Sequence, residues 1–138
     1  MIKTMLIVAT VGMSMGVGSA IAGGGCIPPE ASSALTGDVN AGKKVFRKCK
    51  ACHTIKEGGR NKIGPNLYSV VGSDAGTVDG FKYSKAMRES GIVWNEDTLR
   101  AFLAKPKKFV PGNKMPFSGL KKSEQIENVI TYMIEKSK

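Results

Sequence analysis

From residue 38 onward, apolar positions recur with helical spacing. Val39, Gly42, Val45, Phe46 and Cys49 lie three, one or four residues apart along one face, which predicts an amphipathic helix. Asp38 precedes the first of them as an N-cap. Gly42 is out of place inside a helix, where it costs about 1 kcal/mol relative to alanine. It is read as a point where another helix comes close. "SKAMRES" (84–90) predicts a short helix capped by Ser84. Asn95 caps a helix over "EDTLRAFLAK" (96–105), with Glu96 and Asp97 favourable in its first turn and Pro106 as its stop. Ser123 caps a last helix, whose Ile126, Val129, Ile130, Met133 and Ile134 form one apolar stripe. There is no strand-like alternation of any length and no internal repeat. "KEGGRNKIGPN", "VGSDAGTVDG" and "KKFVPGNKMPF" (107–117) are dense in turn formers and predict long loops. The fold class is therefore all-α: three main helices, a short one and long loops.

This pattern poses a packing problem. Three helices and loops offer few large apolar side chains, and the loops carry many backbone polar groups. A large apolar body at the centre resolves both, because loops of this length can wrap around it. The 138 residues suffice for one domain with a modest core.

The N-terminal part has a different character. Residues 1–22 read as an export leader: Lys3, an uncharged run of small and apolar residues, and "AIA" at 20–22 as a cleavage signal. The alternative is an uncleaved membrane anchor, for which the apolar run is short. "GGGCIPPEASSALTG" (23–37) reads as a flexible linker, leaving 38–138 as the domain. Cys26 lies in that linker. It is read as a free thiol, an intermolecular cross-link or a lipidation site. The formal net charge is +10, and Lys3 is the only charge in the leader, so export lowers it by one. Such a field suits an acidic partner or an anionic membrane, and export argues against nucleic acid. The composition fits neither disorder nor a disulfide-rich scaffold.

The chemistry concentrates in "CKACH". Cys49, Cys52 and His53 form a C-x-x-C-H motif that includes the only histidine of the chain. Three readings compete. A structural zinc needs four ligands, and only three are at hand. A thiol–disulfide redox pair belongs in a βαβ setting, whereas this segment is helical. Attachment of a c-type haem fits fully: two thiols on one helix face bond the two vinyl groups, and His53 follows to reach the iron. Export fits as well, since covalent attachment is completed outside the cytoplasm. A second axial ligand would come from the methionines, because no other histidine exists. Met87 and Met133 sit in helical segments and read as core. Met115 lies in a loop between Pro111-Gly112 and Pro116, a stiffened strap that presents its sulfur. His/Met ligation favours the ferrous state and leaves no position for substrate.

From Asp38 to Lys136 the chain resembles the class I cytochromes c, close to the mitochondrial and alphaproteobacterial soluble type. The resemblance rests on "CKACH", "GPNLY", "FKYS", Trp94, "PKKFVPGNKMPF" and the terminal helix, in that order. It implies a cytochrome c fold wrapped round one covalently attached haem c. It implies that Cys49 and Cys52 form the thioethers and that His53 and Met115 are the metal ligands. The Pro65 carbonyl would fix the His53 tautomer. Tyr83 and Trp94 would hydrogen-bond a buried haem propionate, and Phe117 would shield the haem edge. Gly42 and Phe46 would meet Val129 and Tyr132 at a helix crossing. Four positions depart from the mitochondrial pattern. Ser73 replaces an arginine, Met87 a polar residue, Phe102 a tyrosine and Asn113 a threonine.

Lys48, Lys50, Arg60, Lys62, Lys107, Lys108, Lys114, Lys121 and Lys122 flank the segments expected around the haem edge. As a set they predict a docking ring for acidic redox partners. The resemblance implies a one-electron carrier and not an enzyme. It would work in the periplasm, between respiratory complexes such as a quinol:cytochrome c reductase and a terminal oxidase. Two other classes stay open on the residues alone. One is a gas-binding or peroxidase-like haem protein with an accessible sixth position. The other is a tethered adaptor in which Cys26 matters most.

Overall fold

α1 (Val39–Lys50) forms where its cap and apolar face predict it. Asp38 is extended, and its carboxylate accepts a hydrogen bond from Ala41 N–H, while Arg47, Lys48 and Lys50 complement the negative end of the helix. The computed structural model describes residues 36–138. The leader expected at 1–22, Cys26 and the linker up to residue 35 lie outside the described residues.

Four further helices follow: α2 (Lys85–Arg88), α3 (Glu96–Ala104), α4 (Pro106–Phe109) and α5 (Ser123–Glu135). Ser84 caps α2 by accepting from Met87 N–H at 3.2 Å. Asn95 and Thr98 cap α3 reciprocally, each side chain accepting from the other's backbone N–H at 2.9 Å. Among the described residues no strand forms; one isolated antiparallel bridge joins Asp74 to Val93.

Two helix ends differ from expectation. α3 does stop before Pro106, at Ala104, but Pro106 then opens α4. Its fixed φ and missing N–H suit the first helical position as well as they forbid an interior one. The first part of the 107–117 segment is therefore helical. At α5 the cap position belongs to Lys122, no side chain caps the helix, and Ser123 is its first residue.

α1 crosses α5 at Gly42. A Cβ there would overlap the Asn128 carbonyl oxygen and come within 2.7 Å of Tyr132 Cβ. Absence of a side chain is what lets the two backbones meet. The crossing runs through Asn128 and Tyr132, with the Phe46 and Tyr132 rings 5.2 Å apart. Asn128 is buried, and its Oδ1 accepts from Asp38 N–H at 2.7 Å, so α5 also pins the start of α1. α3 is tied to α5 by Arg100, which donates from Nε and Nη2 to the two carboxylate oxygens of Glu127 at 2.6 and 2.9 Å.

The core is hollow. Met87, Trp94, Leu99, Phe102, Leu103, Val129 and Met133 are buried from solvent, yet all of them line one interior cavity of about 310 Å³. Loop residues such as Pro65, Tyr83 and Met115 line it together with the helices, in keeping with the shortage of apolar side chains.

Candidate functional site

Cys49 occupies the last turn of α1, and the chain keeps turning beyond it. Cys52 N–H and His53 N–H both donate to the Cys49 carbonyl, at 3.0 and 2.9 Å. This turn brings Cys49, Cys52 and His53 to one wall of the cavity. Both thiols are free and half-buried. Burial pushes the Cys49 thiol up to about 11, against the pull of Lys48. A thiol so protonated at neutral pH makes a poor disulfide-exchange nucleophile. No cluster of three or more His, Cys, Asp or Glu that could hold a metal occurs among the described residues.

His53 is held from two sides. Its Nδ1–H donates to the Pro65 carbonyl at 2.8 Å, and since a carbonyl only accepts, Nε2 keeps the lone pair. The ring lies directly on Gly64: a Cβ there would come 2.7 Å from both ring nitrogens. Burial lowers the imidazole below its ordinary value, opposed by the Pro65 bond and assisted by Lys62. Burial thus favours the neutral ring, the form a metal ligand takes. The loop that carries Gly64 and Pro65 is itself pinned. Gly64 N–H donates to the Cys52 carbonyl at 2.8 Å and Leu67 N–H to Thr54 at 2.8 Å. Asn61 accepts from Asn66 N–H and donates to the Asp79 carbonyl, both at 2.9 Å.

A strap after α4 brings Met115 to the same cavity. Pro111 and Gly112 turn the chain, with Gly112 at φ 85 and Asn113 N–H donating to Val110 at 3.1 Å. This is a type II arrangement, with proline and glycine where it needs them. Phe117 N–H bonds the Met115 carbonyl across Pro116 at 2.9 Å. Farther on, Leu120 N–H donates to Leu103 at 2.8 Å, and Gly119 lies against the Ala104 carbonyl.

All eight residues expected at the cofactor line this one cavity: Cys49, Cys52, His53, Pro65, Tyr83, Trp94, Met115 and Phe117. Burial raises the Tyr83 phenol above its ordinary value, offset in part by the Val78 backbone. The four departures also line the cavity. Phe102 packs its ring 4.9 Å from Trp94, Met87 is buried at the cavity wall, and Ser73 bonds the Val70 carbonyl at 2.7 Å. Asn113 bonds backbone on three sides. Gly64, Asn61 and the role of Asn113 were not foreseen. The signal available for Gly64 was its place directly before Pro65 in "GPNLY".

Lys48 and Lys114 stand at the rim of the cavity. Lys50, Arg60, Lys62, Lys107, Lys108, Lys121 and Lys122 are exposed but do not line it. Lys62 Nζ donates to the Lys50 carbonyl at 2.9 Å. No ion pair involves any of these cations among the described residues.

The donor set suits a haem held by thioethers: an apolar enclosure, two thiols at three-residue spacing, and a neutral imidazole with a free Nε2. Comparison with known proteins points the same way. The cytochrome c family profile matches residues 39–135. A cytochrome c of Stellaria longipes is 46% identical over 103 residues, covering 74% of this chain and 95% of its own length. A cytochrome c2 of Agrobacterium tumefaciens is 46% identical over 101 residues, covering 71% of this chain and 91% of its own. The structure of cytochrome cH from Methylobacterium extorquens superposes with a TM-score of 0.68 at 42% identity, covering 72% of this chain and 99% of that one. The chain belongs to the cytochrome c family, electron carriers rather than enzymes, which hold haem c covalently through a cysteine pair that here is Cys49 and Cys52.

Proposed function

We propose that this protein is an exported one-electron shuttle whose haem iron is held by His53 and Met115. The observation that carries this reading is the strap, which brings the Met115 side chain to the cavity that His53, Cys49 and Cys52 also line. The bound haem supplies the redox change, ferric to ferrous and back. The residues of the chain do the rest. Pro65 keeps His53 in the tautomer that offers Nε2. The soft thioether of Met115 would favour the ferrous state. Trp94, Leu99 and Phe102 keep water from the cavity, and Phe117 shields its edge. Tyr83 and Trp94, which line the cavity, would hydrogen-bond a haem propionate. With His53 and Met115 both holding the iron, no site would remain for a substrate.

The donors and acceptors are respiratory complexes of the periplasm or its membrane, a quinol:cytochrome c reductase and a terminal oxidase being the expected pair. Lysines that make no ion pair among the described residues support this: Lys48, Lys50, Lys62, Lys107, Lys108, Lys114, Lys121 and Lys122 offer a cationic surface to an acidic partner. The complex would be small and transient, as electron-transfer encounters are. Its rate should fall steeply as salt rises from about 10 to about 500 mM, over which the screening length shrinks severalfold. Stopped-flow oxidation by an acidic redox partner reads this directly, and a rate indifferent to salt removes the docking ring.

One observation favours a second reading, an openable sixth position for gas or peroxide. Phe102 supplies no hydroxyl to the Met115 sulfur. Carbon monoxide decides between the two. The ferrous spectrum should be unchanged under carbon monoxide; ready binding would replace the shuttle by the gas-binding reading.

A further inference from the structure

Asn113 is a polar side chain only 4% exposed, in a strap whose other residues mostly face solvent. Its amide is used on both ends. Nδ2 donates to the Pro106 carbonyl at 2.8 Å and to the Val110 carbonyl at 2.8 Å. Oδ1 accepts from Met115 N–H at 3.0 Å. The first two acceptors belong to the N1 position and the C-cap of α4. The third partner is the backbone of the methionine itself.

We infer that Asn113 is the positioning residue for Met115: its amide clamps the methionine strap onto α4 and so fixes where the sulfur stands. The inference rests on Met115 as the iron ligand. The physical case is one of accounting for polar groups. Between Val110 and Leu120, only the Asn113 N–H and Phe117 N–H bonds are backbone-to-backbone, and both are turns within the strap. The Asn113 N–H reaches only the C-cap carbonyl of α4, whereas the Asn113 side chain adds the bond to Pro106, the first residue of that helix. Removing it leaves the buried carbonyl of Pro106 with one partner fewer and the Met115 N–H with none of those shown, and an unmet buried polar group is more costly than the bond was favourable. The strap would then open toward water, and the methionine with it. A serine retains part of the device, since its hydroxyl can accept from the N–H two residues on.

The test uses the ferric holoprotein at pH 7, with imidazole as an external ligand that displaces the methionine. The readout is loss of the methionine–iron charge-transfer band. Asn113→Ala should lower the imidazole concentration for half-displacement by tenfold or more, with far-UV circular dichroism unchanged. Asn113→Ser should recover part of that change. Ile126→Val, a trim of a buried α5 residue that does not line the cavity, should leave the midpoint where it is. An Asn113→Ala midpoint within twofold of the unaltered protein overturns the inference and leaves the ligand assignment standing. So does an Ile126→Val shift as large as that of Asn113→Ala, since the effect would then be general loosening. Absence of the band from the unaltered protein overturns the ligand assignment, and the role of Asn113 with it.

Discussion

Replacing Gly64 by valine is expected to disable the histidine side of the site. A Cβ at this position would overlap the His53 ring and lie 2.7 Å from both its nitrogens. Neither side can retreat easily. Gly64 N–H is bonded to Cys52 at 2.8 Å, its carbonyl accepts from Lys62 N–H at 2.9 Å, and the next residue is a proline with little backbone freedom. The ring must therefore move, and the 2.8 Å bond from Nδ1 to Pro65 breaks with it. Overpacking and a broken buried hydrogen bond together should destabilise the holoprotein by about 3 kcal/mol or more. For a domain of this size that lowers Tm by roughly 12 °C or more. Gly64→Ala should show the same effect in smaller measure. Thermal melts with a parallel absorption spectrum check this. A Gly64→Val protein with the original spectrum and a Tm within about 2 °C would show that the ring is not seated on Gly64.

Gly42→Val should do comparable damage by a different route. The clash there is with backbone, the Asn128 carbonyl, and with Tyr132 Cβ at 2.7 Å. Both partners are locked in helices, so α1 and α5 must move apart. Separation undoes the Phe46–Tyr132 packing at 5.2 Å and strains the 2.7 Å bond from Asp38 N–H to Asn128. It also moves Cys49 on α1 away from Val129 and Met133 on α5, which line the same cavity. The expected loss is about 3 kcal/mol or more, at or above the upper end for overpacking. The neighbouring Lys43→Ala, on the exposed face, should stay within about 0.5 kcal/mol of the original. Guanidinium unfolding of the two variants makes the comparison. Equal midpoints for both would mean that the helices do not depend on close approach at residue 42.

These two glycines also show what the sequence could and could not reveal. Gly42 was legible because a glycine inside a strongly periodic helix has a known local penalty, and close packing is a reason to accept it. Gly64 sits in a loop where glycine is ordinary, and its contact with His53 exists only once the loop has folded back. The caps Asp38, Ser84 and Asn95 were legible because capping is local. Ser123 looked equivalent, yet the helix begins at that residue, because nothing in the sequence says which of Lys122 and Ser123 first turns. α4 was hidden because Pro106 was read only as a stop, although the same geometry starts a helix. Cys49, Cys52 and His53 could be grouped from spacing alone, and Met115 from its two flanking prolines. Asn113 and Asn61 could not. A polar residue in a turn-rich loop reads as solvated, whereas Asn113 is buried against α4 and Asn61 reaches the Asp79 carbonyl across 18 residues. The family resemblance located the site but assigned Asn113 no task.

The most direct test of the central claim, that Met115 completes the haem site opposite His53, is the ferric methionine–iron charge-transfer band. Two other methionines of the described residues, Met87 and Met133, serve for comparison. The band should be present in the unaltered ferric protein, persist in Met87→Leu and Met133→Leu, and vanish in Met115→Ala. A band that survives Met115→Ala, or a high-spin ferric spectrum in the unaltered protein, would contradict the account.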